Sequence, residues 1–418
     1  MAVKAVIFDY KTLLMQPRTS EALQAGGFLQ WLRGRGLRWC LFSTDPLSAG
    51  QQAAFSALGC LPPDVHIQKT DIPSGKNRGS PDWIDAVTAR LGVARHELLY
   101  IGCTALDWRT AINSGVLYIH AGWAAVMPPG TTSLIAKSPA DARGFLEFFL
   151  LGPARWSYRL DAEDRTLRSL LPAGAILPST GPRSRFTLKD VFTYARSIRI
   201  ADDDARDLLM FFVLANAYLE GLLSANAIFC VYPGSKRGTI SEQLRGYLDK
   251  AASLVHGYYR EDLLVRASDA PDTSLARWEA SQRGTRANVS IATQATTVHL
   301  GPGYRSKLQG KTVIVFDDFT TKGMSLEWAR LLLAAGGAAR IVLVTVGKYG
   351  TTHTRYELRP GRRIDPYAPN TALTAADFYE VVEALAEDAD AQVYFGEVIG
   401  SLIAAYRRNP AGGLYAPR

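Results

Sequence analysis

The segment from residue 311 to residue 336 constrains the fold of this 418-residue chain more than any other stretch. It opens with an unbroken apolar run at residues 313–316, which predicts a short strand buried on both faces, as in a parallel sheet covered by helices. A loop with glycine and hydroxyl residues follows, and residues 326–335 then have the composition of a helix. A strand, a loop and a helix in this order predict an α/β domain that binds its ligand at the carboxyl end of the strand.

The loop between this strand and this helix carries groups suited to a sugar phosphate. Residues 320–325 open a helix, so their backbone N–H groups and the helix dipole can face an anion, typically a phosphate. Two carboxylates, Asp317 and Asp318, precede them and are separated from them by Phe319. Because carboxylates repel a phosphate, we expect this pair to face sugar hydroxyls or a divalent cation. The segment therefore predicts a ribose 5-phosphate site with a metal nearby.

This segment resembles the signature of type I phosphoribosyltransferases, in which an apolar run is followed by two acids, a Thr-Thr-Gly loop and a hydroxyl residue. In that family the paired acids hold the ribose hydroxyls of 5-phosphoribosyl-1-pyrophosphate (PRPP), and the loop holds its 5-phosphate. The resemblance implies that Asp317 and Asp318 are catalytic residues that bind the ribose and Mg²⁺. It implies a PRPP loop formed by Thr320, Thr321, Lys322, Gly323, Met324 and Ser325. Lys322 replaces the usual second threonine, and it either adds a cation to the phosphate or points outward.

A second loop of the C-terminal half is a candidate for the pyrophosphate group of PRPP. The apolar run at residues 227–232 predicts a buried strand, and a tight loop with two cations follows it. Backbone amides together with Ser235, Lys236 and Arg237 would suit a highly charged leaving group. A solvated surface turn is the alternative interpretation of the same residues.

Two further resemblances to the phosphoribosyltransferases concern catalysis and the acceptor. Residues 278–290 are similar to the mobile catalytic loop of the competence-associated branch, which implies that Arg283, Arg286 and Asn288 act on the pyrophosphate side. Lys348 follows the next predicted strand, where purine-type members place a lysine against a base carbonyl. An exposed basic loop and an exposed lysine are the alternatives.

The first third of the chain alternates short apolar runs with helical segments, which predicts a parallel sheet with helices on both faces. The pattern breaks at a Pro-Pro-Gly loop, and one further helix ends before Gly152-Pro153, where we place the domain boundary. The predicted strands cover residues 3–8, 39–42, 98–101 and 116–119, and the predicted helices cover residues 20–35, 47–58, 81–91 and 140–151.

The strand ends in this region resemble the motifs of the haloacid dehalogenase (HAD) superfamily. Residues 8–14 are similar to its opening Phe-Asp-x-Asp-Gly-Thr-Leu, Ser43 stands at its second motif, and residues 100–115 resemble its Gly-Asp-x-x-x-Asp segment. The resemblance implies a HAD-like Rossmannoid fold with Asp9 in the position of the nucleophile and Asp107 on the metal side.

Two replacements in these motifs predict that phosphatase chemistry is degraded. Lys11 stands where the family has its acid/base, and Cys103 replaces one acid on the metal side. A cation in place of a carboxylate opposes Mg²⁺ binding. Lys76 and Arg78 compete as the counterpart of the family's motif lysine. We therefore expect a regulatory or scaffolding domain, open to a protein partner, rather than a phosphatase.

These patterns together predict an α/β protein with two doubly wound parallel-sheet domains joined by a helical connector. Residues 1–152 would form the HAD-like domain, residues 153–205 the connector and residues 206–418 the phosphoribosyltransferase-like domain. The apolar segment 208–225 is interrupted by polar residues and predicts a buried helix rather than a membrane span. Near the C-terminus, helices are predicted at residues 375–386 and 395–407.

Charge and cysteine content bear on partners and location. The net charge of +8 fits phosphate-rich ligands, but the basic residues are scattered, so support for nucleic-acid binding is weak. The four cysteines lie far apart without a C-x-x-C pair, which predicts neither a zinc site nor a disulfide framework. The first apolar run is too short for a signal peptide, so we expect a cytoplasmic protein with no membrane association.

The predicted activity is Mg²⁺-dependent displacement of pyrophosphate from PRPP by a nucleophile, commonly a base nitrogen, with the acceptor unidentified. The alternative is a PRPP or nucleotide sensor or regulatory subunit that binds without catalysis, since sensing needs only the phosphate loop and the acidic pair. A homodimer is compatible with either. Pairings of HAD and phosphoribosyltransferase domains resemble components of bacterial stress-response and anti-phage gene clusters.

Overall fold

A computed structural model describes residues 2–14, 19–59, 62–131, 133–180, 184–193, 198–200, 203–270 and 290–408. Within these residues the protein is a mixed α/β structure built on two large sheets, one of six strands and one of seven. No helix in the described part is both long and apolar enough to cross a membrane.

The first sheet is entirely parallel, and its strand order is β3-β2-β1-β4-β5-β6. Its strands are β1 Ala5–Asp9, β2 Arg38–Phe42, β3 Val65–Ile67, β4 Leu98–Gly102, β5 Leu117–Ala121 and β6 Leu134–Ala136. Its helices are α1 Tyr10–Leu14, α2 Thr19–Gly34, α3 Ala49–Ala57, α4 Asp82–Leu91, α5 Ala105–Asn113 and α6 Pro139–Phe145, the last continued by a π-helical turn at Leu146–Leu150. The order reverses between β1 and β4, and open α/β sheets bind ligands outside the carboxyl ends of strands at such a point.

The second sheet has the order β14-β13-β17-β18-β8-β7-β21. The strands after the first sheet are β7 Tyr158–Ala162, β8 Arg165–Pro172, β9 Ile176–Pro178, β10 Arg185–Thr187, β11 Arg199–Ile200, β12 Asp203–Asp204, β13 Ile228–Val231, β14 Tyr258–Tyr259, β15 Leu264–Arg266, β16 Val298–Leu300, β17 Thr312–Thr320, β18 Arg340–Lys348, β19 Thr352–Leu358, β20 Phe378–Ala384 and β21 Ala386–Glu387. The helices are α7 Leu188–Thr193, α8 Ala205–Leu219, α9 Glu242–Leu254, α10 Ile291–Thr297, α11 Met324–Ala335 and α12 Ala391–Arg408.

The five strands β14, β13, β17, β18 and β8 are parallel, whereas β7 and β21 add antiparallel pairs at one side. Strand β17 is central, and its apolar residues alternate between the two faces. Ile314 and Phe316 pack into one hydrophobic cluster, while Val313 and Val315 pack into the other, with α11. Because β13, β17 and β18 run the same way, the loops after them meet at one edge of the sheet.

Helix α8 lies between the two sheets and is apolar on all sides, as expected for a buried helix. The Tyr218 hydroxyl donates to the Leu98 carbonyl at 2.7 Å and accepts the Leu117 N–H at 3.1 Å, both in the first sheet. On the other side, α8 contacts β18 of the second sheet. The prediction of a buried helix in this segment is confirmed.

Two sequence predictions about secondary structure are wrong. Residues 153–205 do not form a helical connector, because β7 and β8 in this stretch belong to the second sheet and α7 is a single short helix. Residues 375–386 do not form a helix: a short 3-10 turn at Ala375–Asp377 leads into β20, which pairs with β19 as an antiparallel ribbon.

Candidate functional site

The acidic pair lies near the carboxyl end of β17, inside the strand rather than after it. The Asp318 N–H donates to Asp317 Oδ1 at 3.0 Å, and the Phe319 N–H donates to Asp318 Oδ1 at 2.7 Å. Both side chains are half-buried. Burial, and then the neighbouring Asp318 carboxyl, raise the pKa of Asp317 well above its usual range. A hydroxyl donor or a cation on this pair would relieve that cost.

Two carboxylates fit Mg²⁺ when a bound phosphate supplies further oxygen ligands, which is how this ion is usually held. No group of three or more His, Cys, Asp or Glu suited to a metal occurs among the described residues. Asp317 and Asp318 therefore fit a Mg²⁺ ion that arrives with a phosphate ligand, and do not form a complete metal site alone.

The loop after β17 ends at the N-terminus of α11, which no side chain caps. Gly323 occupies the N-cap position with φ of +88°, and an added Cβ would overlap the His353 ring. Only glycine satisfies both conditions. The first-turn N–H groups of a helix have no partner within the helix, so this end presents donors and a positive dipole to an anion.

The carbonyl groups of this loop face the segment 348–354. The Thr320 carbonyl accepts the Tyr349 N–H at 2.8 Å, and the Lys322 carbonyl accepts the Thr354 N–H at 2.8 Å. The Thr321 carbonyl accepts a hydrogen bond from the Lys348 ammonium. The loop is thus anchored by its carbonyl oxygens, while the Lys322 side chain is exposed.

The predicted contact between Lys348 and a base does not fit the structure. Lys348 is 1% exposed, and its ammonium also donates to the carbonyls of Tyr349 at 3.0 Å and Thr352 at 2.8 Å. Three backbone acceptors use all three of its N–H groups. Burial lowers the pKa of Lys348 to about 8. As the last residue of β18, this lysine turns back beneath the loop after β17 instead of facing an acceptor.

The loop after β13 lies at the same edge of the sheet. Lys236 and Arg237 are exposed and Ser235 is half-buried, so the two cations can reach a ligand in solvent. The Arg237 N–H donates to the Asp269 carboxylate at 2.7 Å. The loop therefore already presents one amide to an anionic group.

Sequence reasoning missed Arg266, a buried arginine behind this second loop. Its guanidinium donates to the carbonyls of Pro233, at 3.4 Å, and Gly234, and also to Thr297 Oγ1 at 2.7 Å and Gln294 Oε1 at 3.2 Å. Nothing local in the sequence marks it, because every partner comes from another segment.

A buried ionic cluster lies beneath the N-terminus of α11. Glu327 accepts from His353 Nε2 at 2.8 Å and from Arg330 Nε at 2.9 Å, and it pairs with Arg165 Nε at 3.0 Å. Glu327 and His353 are fully buried. These contacts fix the His353 ring, which packs against Gly323, so the cluster sets the shape of the loop from its buried side.

Arg283, Arg286 and Asn288, the predicted residues of the catalytic loop, lie outside the described residues. The residues 320–325, predicted as a PRPP loop, and the pair Asp317 and Asp318 lie together at the carboxyl edge of the second sheet, with the 235–237 loop at the same edge.

The crevice of the first sheet contains an internal cation. Arg78 is buried, and its guanidinium donates to both Asp9 and Asp107 and, at 3.0 Å, to the Tyr100 hydroxyl. Of the two candidate cations, Arg78 is therefore the one at the crevice, whereas Lys76 forms an ion pair with the partly exposed Asp82 at 3.3 Å.

The other residues of this crevice are held by local contacts. The Lys11 N–H donates to Asp9 Oδ1 at 2.8 Å, and the Cys103 N–H donates to Asp107 Oδ2 at 3.0 Å. Burial raises the pKa of the Cys103 thiol. Ser43 Oγ lies 2.7 Å from His66 Nε2. Because a guanidinium already bridges Asp9 and Asp107, these residues do not fit a divalent metal.

Comparison with known proteins gives limited similarity. No protein-family model matches the chain, and no curated protein matches it. Among solved structures, a HAD-superfamily hydrolase of subfamily IA from Geobacter sulfurreducens is 14% identical over 34% of this chain and 96% of that one, with a TM-score of 0.25. The cobalt-bound deoxy-D-mannose-octulosonate 8-phosphate phosphatase from Haemophilus influenzae is 16% identical over 29% and 71%, with a TM-score of 0.22.

A third solved structure, from Lactobacillus delbrueckii, is of a protein provisionally assigned as a phosphoglycolate phosphatase. It is 24% identical to this chain over 31% of its length, with a TM-score of 0.26. The match spans about half of that protein, 53%. HAD-superfamily structures thus resemble about a third of the chain.

Proposed function

We propose that the second domain binds PRPP with Mg²⁺ and transfers its ribose 5-phosphate to a nucleophile with release of pyrophosphate. One observation carries this proposal: an uncapped helix N-terminus and a half-buried pair of carboxylates lie on the same strand and loop. An anion site beside two acids suits a ligand that has a phosphate at one end and hydroxyl groups next to it.

Some residues at this edge bind the ribose 5-phosphate part of PRPP, and others stabilise the leaving group. The N–H groups at the start of α11 hold the 5-phosphate, and Asp317 and Asp318 accept from the ribose hydroxyls. Lys236 and Arg237 lie on the neighbouring loop, where their charge favours departing pyrophosphate. Mg²⁺, held by the acidic pair and the ligand, would neutralise charge on the pyrophosphate.

The deciding experiment combines the purified protein with PRPP, Mg²⁺ and a panel of nucleobases, and measures pyrophosphate release. The double variant Asp317→Asn with Asp318→Asn should release none and should bind PRPP at least about tenfold more weakly, since hydrogen bonds to charged groups contribute ~1.5–3 kcal/mol each. Unchanged PRPP affinity in a correctly folded double variant would remove the acidic pair from the ligand site.

A PRPP sensor is the second candidate, and the position of Lys348 favours it. The lysine expected to contact an acceptor base is instead fully hydrogen-bonded to backbone carbonyls. Mg²⁺-dependent PRPP binding without pyrophosphate release for any acceptor would identify a sensor. Release with one acceptor would identify a transferase.

For the first domain we propose a non-catalytic role. The guanidinium of Arg78 satisfies the two carboxylates that a phosphatase would use for the nucleophile and the metal. A domain that only presents a surface to a protein partner does not need either of these carboxylates to be free of Arg78.

A further inference from the structure

Two buried cations lie behind the two candidate anion-binding loops and contact them in the same way. Lys348 donates to the Thr321 carbonyl in the loop after β17, and Arg266 donates to the Pro233 and Gly234 carbonyls in the loop after β13. Both side chains are buried.

We propose that Lys348 and Arg266 are positioning residues, each of which turns the carbonyl oxygens of one loop inward so that the loop's N–H groups face a phosphoryl ligand. This inference rests on the proposed function. Lys348 aligns the loop that binds the 5-phosphate, and Arg266 aligns the loop that binds the pyrophosphate. Both act through the backbone and contact no reacting atom.

The geometry of the peptide bond links each carbonyl to one particular N–H. In a trans peptide, the carbonyl of one residue and the N–H of the next point in opposite directions. When Lys348 and Thr354 hold the carbonyls of Thr321 and Lys322, the N–H groups of Lys322 and Gly323 therefore point to the opposite side.

The same argument applies to the loop after β13. Arg266 holds the Gly234 carbonyl, so the Ser235 N–H points away from the buried guanidinium. The remaining donors of Arg266 are fixed by Thr297 and Gln294, and the Tyr232 hydroxyl donates to the same Gln294 oxygen at 2.7 Å. The guanidinium is thus held in one orientation, which is needed to align a loop.

The charge of the two cations points to an anionic ligand. Among the described residues, neither forms a salt bridge with a carboxylate, and burial lowers the pKa of both Lys348 and Arg266. A buried cation without a paired anion is costly. A phosphate or pyrophosphate on the outer side of the loop would supply that negative charge, so the cost falls when the ligand binds.

The experiment measures the affinities of two simple ligands, ribose 5-phosphate and inorganic pyrophosphate, by calorimetry with Mg²⁺ present. Lys348→Met should weaken ribose 5-phosphate binding at least tenfold, about 1.4 kcal/mol, and change pyrophosphate binding by less than about twofold. Arg266→Met should show the reverse pattern. A structural defect would lower both affinities together, so the crossed pattern is specific to positioning.

Conservative variants and a distant control complete the test. Arg266→Lys keeps a cation and should recover part of the pyrophosphate affinity. Lys311→Met removes an exposed lysine next to the opposite end of β17 and should change neither affinity. If a methionine variant fails to fold, Lys348→Gln and Arg266→Gln retain hydrogen-bond donors and should show the same crossed losses in weaker form.

The outcomes separate this inference from the proposed function. Equal losses for both ligands, or no loss for either, would overturn the positioning roles while leaving a PRPP site in place. A wild-type protein that binds neither ligand would overturn the proposed function, and the positioning roles with it.

Discussion

At the scale of single residues, Arg78 is the group whose loss should be most damaging to the structure around the first sheet. It is the shared partner of Asp9 and Asp107, both fully buried. Removing one partner of a buried ion pair costs about 3–5 kcal/mol, because the remaining charge is left without compensation. We expect Arg78→Met to lower the free energy of unfolding by at least this amount.

Urea denaturation of the variant checks this expectation, with Lys76→Met as the matched control. Lys76 forms an exposed ion pair, so its loss should cost no more than about 1 kcal/mol. Equal effects of the two substitutions would show that the guanidinium of Arg78 is not the main partner of the two acids.

The same contacts predict no phosphatase turnover by the unmodified protein. Asp9 is engaged by Arg78 and by the Lys11 N–H, and the same guanidinium holds Asp107, so we expect neither acid to serve phosphate-ester hydrolysis. Hydrolysis of a generic phosphate ester with Mg²⁺ present is the measurement. Turnover that disappears in Asp9→Asn would contradict the prediction, whereas turnover that persists would come from elsewhere.

The acidic pair on β17 of the second sheet should make stability depend on pH. Because burial and Asp318 raise the pKa of Asp317 in the folded state, the folded protein holds this proton more tightly than the unfolded chain does. Stability is therefore lost as the pH rises from the unfolded pKa, about 3.9, through the raised folded pKa.

Asp317→Asn removes this loss, so the variant should gain stability over the wild type as the pH increases. The gain should reach about 1.4 kcal/mol for every pH unit that separates the folded pKa of Asp317 from its unfolded pKa. Urea denaturation of both proteins over a series of pH values tests this. A constant difference between the two would mean that Asp317 titrates normally.

At the scale of elements, the β17–loop–α11 unit could be predicted because its signals are local. The apolar run, the glycine and the helical segment follow one another within 25 residues of chain, about the length of one βα unit. By contrast, β8 escaped prediction because Arg165 and Arg168 resemble surface charges. Both are buried, and their partners Glu327 and Glu220 come from distant segments.

The ribbon strand β20 shows a second reason for a wrong assignment. Four consecutive residues from Tyr379 to Val382 are exposed, so the strand lacks the alternation that marks a half-buried strand. At the sites too, sequence position does not reveal the tertiary contacts of a buried cation, as is seen for Lys348, Arg266 and Arg78. Sequence position suggested a role for Lys348, but only the tertiary structure shows which groups receive its hydrogen bonds.

The start of α11 provides a prediction about the loop that precedes it. Gly323→Ala should destabilise the protein by about 1–3 kcal/mol. The backbone at this position is left-handed, which is unfavourable for a residue with a Cβ, and the added Cβ would overlap His353. It should also weaken ribose 5-phosphate binding, which calorimetry measures. Gly246→Ala in α9 is the control: a Cβ there meets nothing within 4 Å, so this change should stabilise the helix slightly. Similar losses in both variants would contradict the argument.

At the scale of the whole molecule, the two sheets share one hydrophobic cluster. Residues from β1, α6, α8 and β17 belong to it, and Phe145 and Phe149 of the first half pack edge-on against Phe211 of α8. We expect the described part of the chain to unfold in a single cooperative transition.

Tryptophan fluorescence can test this, because Trp83 lies in the first half and Trp328 in the second, both fully buried. Single-tryptophan variants should report the same midpoint in urea. Tyr218→Phe should lower both midpoints together, since it removes the hydrogen bonds of the hydroxyl with the Leu98 carbonyl and the Leu117 N–H, at a cost of about 1–3 kcal/mol. Separate midpoints would show that the halves fold independently.

The position of α8 has a consequence for how such a chain can be rearranged by recombination. A gene break after residue 152 would leave Phe145 and Phe149 without their α8 partner and would expose an apolar face. Either fragment would then be prone to aggregation rather than free to join another protein. A crossover that keeps α8 with both sheets is the one that preserves a folded product, so the two halves should be inherited as one unit.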